Sequence, residues 1–207
     1  MARVSYAEAD SSPEAARIFE RQDRLGRNVT NFHRILARTP WILKWYIPFS
    51  QSVYNAGREG VLDQRLRQIA QIRTSVVNAC AYCATHTSRR GTALGISDEE
   101  IAALHGETPL EGVFSSREIA ALVWAEAVAT NTARRDAAAY ERLSMHFSEV
   151  EIVELTVLIA ARTMVNRIQE ALWTDLEAGG ELPPRDGAFL PDTLEEYTRD
   201  ILCRYHT

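Results

Sequence analysis

Apolar positions recur at helical spacing along almost the whole chain. Leu66, Ile69, Ile72 and Val76 form one stripe, and Ile119, Leu122, Val123 and Ala127 form another. Alternating apolar and polar runs, the mark of half-buried strands, are almost absent, so the pattern predicts an all-α fold. Start signals are frequent. Ser12-Pro13-Glu14 places proline in a first helical turn, where its missing N–H does no harm, and Asp63 precedes the Leu66 stripe as a cap. Three Ser-x-x-Glu capping boxes begin at Ser97, Ser115 and Ser148, and Thr193 to Glu196 is a similar start. Together these signals predict helices from Pro13 to about Leu25, stopped by Gly26, and from Asn28 to Ala37. A third starts at Thr39-Pro40, and Pro48 is expected to kink or divide it. A helix from Asp63 leads straight into Cys80 and Cys83 and runs on past His86 to about Leu94, ending at Gly95. Further helices are expected over 98–105, from Ser115 to about Thr130, from Arg134 to Met145, from Ser148 to about Glu177, and from Thr193 to about Cys203. The expected organisation is a single-domain helical bundle over 60–178, with an N-terminal helical extension at 1–59 and a C-terminal loop and helix at 179–207.

Composition sharpens this reading mainly by exclusion. Hydrophobic residues make up 46% of the 207 and charged residues 25%, so the chain can bury a core and is not expected to be disordered. The formal net charge is -5 with no long basic block, which argues against a nucleic-acid partner. No apolar leader and no run of about 18 apolar residues is visible, so neither a secretory signal nor a membrane span is expected. Three cysteines in such a chain read as cytoplasmic thiols, a setting where a C-x-x-C pair is catalytic or metal-binding rather than a structural disulfide.

The candidate chemistry lies in Asn78-Ala-Cys80-Ala-Tyr-Cys83-Ala-Thr-His86. Spacings of three residues put both thiols and the imidazole on one side of a helix. A reactive thiol needs its pKa lowered from about 8.5, and a helix N-terminus can do that. Either Asn78 acts as an N-cap, or the cysteines sit at a break between two helices. His86, one turn beyond Cys83, is placed to exchange a proton. A thiolate that meets a hydroperoxide becomes a sulfenic acid, and a neighbouring thiol condenses with it to a disulfide. Other readings compete. Free cysteines are comfortable in a core. Zinc could take Cys80, Cys83 and His86 together with Cys203 or His206, although structural sites usually draw on two compact ligand pairs. No metal or other cofactor is expected. The aromatic run Trp41, Trp45, Tyr46, Phe49 and Tyr54 reads as core or subunit contact. Arg89 and Arg90 read as solvated surface, His33, His105 and His146 as ordinary surface or core histidines, and Asn166-Arg167 as packing or a buried polar network.

The residues Leu66-Arg-Gln68, Ile72-Arg73-Thr-Ser, the dithiol stretch through His86, and Ala93-Leu-Gly95 resemble the carboxymuconolactone decarboxylase superfamily, in its alkyl hydroperoxidase D-like branch. Glu118 to Leu122, Tyr140, His146 to Ser148, Glu151 to Leu155 and Val165 to Arg167 follow in the branch's order, so the resemblance covers about residues 60–175. It implies a helical fold that assembles into homo-oligomers, trimers or hexamers. It also implies thiol-dependent reduction of hydroperoxides, with a separate thiol protein as reductant. Cys83 would be the thiol that becomes the sulfenic acid, Cys80 the proton donor and resolving thiol, and His86 part of a proton relay. The branch usually carries a glutamate twelve residues before its first cysteine, where this chain has Gln68. An amide cannot carry that proton, so activity would be weak or another acid would substitute, Glu59 and Asp63 being near in sequence. The family histidine usually follows three intervening residues; here two intervene, and Thr87 occupies the usual place. Two alternatives remain: a lactone decarboxylase-like enzyme of small molecules, and a non-catalytic redox-sensing or binding protein.

Overall fold

The structure is a computed structural model that describes residues 1–24, 28–55 and 60–178. Among the described residues it is all-α. Its helices are α1 (Pro13–Arg24), α2 (Asn31–Leu36), α3 (Pro40–Asn55), α4 (Gln64–Val77), α5 (Ala81–Ala93), α6 (Asp98–His105), α7 (Ser116–Ala129), α8 (Ala137–Ser144) and α9 (Glu149–Leu172). The described residues form two compact units, one of those up to 55 together with 172–178, the other of residues 60–171. The stop expected at Gly26, and the terminal helix with Cys203 and His206, lie outside the described residues.

In the first unit the segment after α9 is stitched to the N-terminal arm. Asp175 accepts from the Ala2 N–H at 2.8 Å and the Tyr6 hydroxyl at 3.1 Å, and Glu177 accepts from the Asn31 N–H at 2.8 Å. On α3, Leu43 and Ile47 are buried, whereas Trp41, Ile42, Trp45 and Phe49 are exposed. In this chain those aromatics are therefore not core. Pro48 does not divide α3. Buried Leu43, Ile47 and Ser50 anchor the helix on both sides of it, and the Ser50 hydroxyl donates to the Ile47 carbonyl at 2.8 Å.

The second unit is built around α4. Asp63 caps it, accepting from the Leu66 N–H at 2.7 Å. Leu66, Ile69, Ala70 and Ile72 are buried, but so are Arg67, Gln68, Gln71, Thr74 and Ser75. An apolar stripe alone would leave a solvated side; this helix instead buries a polar side that must find partners. Arg65 bridges to α7 through Glu118 at 2.8 Å and to α6 through Glu100. Arg73 donates to Glu126 at 2.8 Å and to the Leu104 carbonyl at 2.9 Å. Toward α9, Arg67 pairs with Glu154, Arg162 donates to Gln71, and Asn166 donates to the Ser75 hydroxyl at 3.4 Å. α5 lies close against α4 at Gly91, where a Cβ would stand 2.9 Å from Ile72 Cδ1.

The capping boxes at Ser97, Ser115 and Ser148 form as expected, with the Glu100, Glu118 and Glu151 carboxylates returning to the cap N–H at 2.8, 2.9 and 2.8 Å. Four boundaries differ. α2 opens at Asn31 rather than Asn28, because Thr30 is its cap and accepts from the His33 N–H. The helix expected from Arg134 opens as a single 3-10 turn, and Asp136 then caps α8 by accepting from the Ala139 N–H at 3.0 Å. α9 stops at Leu172, short of Glu177, because Trp173 turns left-handed at φ 53°. Most consequential, α4 does not run into the cysteines.

Candidate active site

α4 ends at Val77, and Asn78 is its C-cap rather than the N-cap of a new helix. Ala79 adopts φ 54°, its N–H bonds the Val76 carbonyl at 2.9 Å, and the Cys80 N–H reaches back to Ser75 at 3.0 Å. This pair of bonds is a Schellman closure, a place where glycine is usual and alanine is strained. The chain turns sharply, and Cys80 becomes the N-cap of α5. Cys83 thus sits in the first turn of a new helix, where unpaired N–H groups and the dipole favour negative charge.

Cys80 and Cys83 are both unbridged and buried, at 0% and 2% exposure. The Cys80 Sγ accepts from the Cys83 N–H at 3.4 Å, while its own S–H points at the Cys83 Sγ, 2.6 Å away. The sulfurs, both at the head of α5, are near enough to bridge within its first turn. Their environments drive their acidities apart. The hydrogen bond from Cys80 lowers the Cys83 pKa, and the Arg162 charge and the Asn166 amide add to it against the opposing effect of burial. The same hydrogen bond, then burial and the charge on Cys83, push Cys80 far up. The two acidities are driven in opposite directions, so Cys83 is the thiol that gives up its proton first.

The far wall is α9, which the C-x-x-C pattern does not reveal. Gln169, 3% exposed, donates through Nε2 to the Cys83 Sγ at 3.2 Å. Asn166 joins Asn78, whose Nδ2 donates to Asn166 Oδ1 at 3.1 Å and to the Thr163 hydroxyl at 3.2 Å. Arg162, Asn166 and Gln169 recur at spacings of four and three on the inward side of α9. Polar residues at core positions in a helical period are the signal that could have found them.

The other candidates are placed as follows. His86 is half-buried one turn beyond Cys83, its ring against Tyr82 with centroids 4.5 Å apart. The buried Gln68 donates to the Thr87 carbonyl at 2.6 Å, and Thr87 Oγ1 donates to the Cys83 carbonyl at 2.7 Å. Gln68 thereby fastens α4 to the backbone beneath Cys83, and the Thr87 hydroxyl is committed to its own helix. Asp63 caps the opposite end of the 14-residue α4, roughly 20 Å along the axis from the Asn78 end. It cannot stand in for a carboxylate at the thiols, and Glu59 lies outside the described residues. Arg73 is held by Glu126 and Leu104, and Arg89 and Arg90 are exposed. His105 pairs with the Ser88 hydroxyl at 2.9 Å, and His33 with Thr30 at 3.0 Å. Among the described residues no trio of His, Cys, Asp or Glu is grouped as a metal site. None of their helices is long and apolar enough to cross a membrane.

Comparison with known proteins agrees with this architecture. The sequence model of the carboxymuconolactone decarboxylase family matches residues 40–127. The uncharacterised protein YnjA of Escherichia coli is 31% identical over 58% of this chain and 64% of its own. A crystal structure described as an alkylhydroperoxidase AhpD core, an uncharacterised peroxidase-related protein from Ralstonia eutropha, superposes with TM-score 0.72 at 20% identity, covering 88% of this chain and 98% of that one. A cysteine-to-alanine variant of the debrominase Bmp8, in complex with 2,3,4-tribromopyrrole, superposes with TM-score 0.70 at 20% identity over 94% and 96%. At such identities the two structures establish the fold.

Proposed function

Since residues 40–127 match the carboxymuconolactone decarboxylase family model and the chain carries the AhpD-like helical fold, we propose that it is a thiol-dependent peroxidase of that superfamily, reducing hydroperoxides through Cys83 and Cys80. The observation that carries the reading is the buried dithiol, its sulfurs 2.6 Å apart, whose acidities are driven in opposite directions. The Cys83 thiolate attacks the terminal oxygen of R–O–O–H. The O–O bond breaks, the sulfur is oxidised to a sulfenic acid, and the leaving alkoxide takes the Cys80 proton, directly or through His86. The new Cys80 thiolate then attacks the Cys83 sulfur, forming the disulfide and expelling hydroxide. One peroxide is reduced and one dithiol oxidised. An external thiol protein restores the dithiol, in a cytoplasm whose reducing poise supplies the electrons.

Gln68 supplies no proton in this scheme, which shifts proton delivery onto Cys80 and His86. It also supports a second reading, in which the thiols oxidise but do not turn over and the protein acts as a redox sensor. We further propose a homo-oligomer, a trimer or hexamer, supported by the exposed aromatic side of α3 and an exposed apolar stripe on α9.

The test is steady-state consumption of tert-butyl hydroperoxide with excess dithiothreitol. Wild type should turn over, and Cys83→Ser should fall to the uncatalysed rate. With dithiothreitol removed, Cys80→Ser should carry out the first step once and stop as a sulfenic acid. Oxidation without turnover would favour the sensor. Activity on a lactone acid that survives loss of both cysteines would favour the decarboxylase alternative.

A further inference from the structure

One polar atom beside the thiols has no task in the peroxidase scheme. Gln169 is buried, its Nε2 is spent on Cys83, and its Oε1 is buried with no hydrogen-bond partner. Burying a carbonyl acceptor without a donor is unfavourable, and such groups in a folded interior call for an explanation. The amide orientation is fixed by its neighbour. The Cys83 sulfur, the more acidic of the pair, lies 3.2 Å from the Gln169 amide, and as the attacking thiolate it needs donors. The N–H side of Gln169 therefore faces the sulfur. In a planar carboxamide the oxygen then follows about 2.2 Å from that nitrogen. This is within reach of an oxygen bonded to, or about to bond to, the Cys83 sulfur.

We infer that Gln169 is a positioning residue with two functions: its N–H orients the Cys83 thiolate, and its Oε1 accepts the O–H of the incoming hydroperoxide and then of the Cys83 sulfenic acid. The acceptor function rests on the peroxidase reading; the donor function does not. The O–H is retained throughout the first step. Cys83 attacks the oxygen that bears the hydrogen, and the S–OH product keeps that hydrogen, so one acceptor serves reactant, transition state and product. When Cys80 attacks, this same oxygen leaves as hydroxide and the Gln169 acceptor is released. Gln169 exchanges no proton and forms no bond. It holds the terminal oxygen in line with the sulfur, a task that an apolar side chain of equal length cannot perform.

Two reactions of the whole reduced protein separate the functions. Iodoacetamide needs only a thiolate and leaves no O–H on sulfur; tert-butyl hydroperoxide needs both. Each is followed against pH, with modification read at Cys83 by peptide mass. In Gln169→Met the midpoint for alkylation should rise, because the thiolate has lost a donor. Above both midpoints, alkylation should match wild type while the peroxide rate falls about tenfold or more. Gln169→Glu keeps an acceptor and loses the donor, so its midpoint should rise while its peroxide-to-alkylation ratio stays near wild type. An unmoved midpoint in either variant would overturn the donor function. An unchanged ratio in Gln169→Met, or a ratio in Gln169→Glu that falls with it, would overturn the acceptor function. Should Gln169→Met not fold by circular dichroism, the midpoint and ratio of Gln169→Glu decide both. A wild type that alkylates normally yet ignores peroxide would sink the peroxidase reading and the acceptor function with it, while the midpoint would still decide the donor function.

Discussion

Two thiols that share one hydrogen bond titrate as a pair, and here the bond runs from Cys80 to Cys83. The first proton leaves below the ordinary thiol value of about 8.5, and the second is held well above it. Removing the donor in Cys80→Ala should therefore raise the midpoint for alkylation of Cys83, even though a buried neighbour has been made smaller. Stability follows the same protons. Between the lowered Cys83 value and about 8.5 the unfolded chain holds more protons than the folded one, so the pair's contribution grows as pH rises. It declines above that, where the unfolded chain releases the Cys80 proton that the fold retains. Wild type minus the Cys80→Ala, Cys83→Ala double variant, measured by urea unfolding across pH, should show a maximum near pH 8–9. The sulfurs were legible in the sequence because C-x-x-C sets their spacing covalently. Gln169 was not, because it lies 86 positions from Cys83 and meets it only through packing of α9. Its spacing with Arg162 and Asn166 marks a polar side of α9 but does not say that Cys83 lies opposite it.

At the scale of elements, capping boxes proved more informative than stop signals. A Ser-x-x-Glu start states its hydrogen bonds in the sequence. A Schellman stop is legible when glycine or asparagine marks it, as at Gly95, Gly106 and Asn131. The stops after α4 and α9 use Ala79 and Trp173 at φ 54° and 53°, and there the expected helices ran too far. Ala79 is the more telling, since its turn sets Cys80 at the head of α5. Ala79→Gly should relieve the left-handed strain and stabilise the fold by roughly 1 kcal/mol, net of the added freedom of the unfolded chain. Chemical denaturation reads this, and a loss of stability would contradict the closure described. The α4–α5 contact is the other sensitive joint. A Cβ on Gly91 meets Ile72 Cδ1 at 2.9 Å and Ile96 Cδ1 at 3.2 Å, both ends of flexible side chains. Gly91→Ala should thus cost little, while Gly91→Val, with branches that cannot withdraw, should lose about 1–3 kcal/mol.

At the scale of the molecule, the all-α character followed from periodicity, whereas the surface did not. Helical spacing identifies a stripe but not what covers it, and the aromatics of α3 fitted core and subunit contact alike. Trp41, Trp45 and Phe49 are exposed, as are Val150, Val153, Val157 and Met164 along α9 at alternating spacings of three and four or their sum. The α9 seam suits a second helix laid along it. If the proposed homo-oligomer uses that seam, Val157→Glu should shift the sedimentation coefficient toward monomer and leave the helical circular dichroism unchanged.

The most direct measurement is a single-turnover thiol count. Reduced protein is mixed with one equivalent of tert-butyl hydroperoxide, and free thiols are counted before and after, beside Cys83→Ser. The account predicts rapid loss of two thiols per chain, a Cys80–Cys83 disulfide by peptide mass, and no rapid loss in the variant. Thiols that survive excess peroxide would contradict it, whatever the proximity of the two sulfurs.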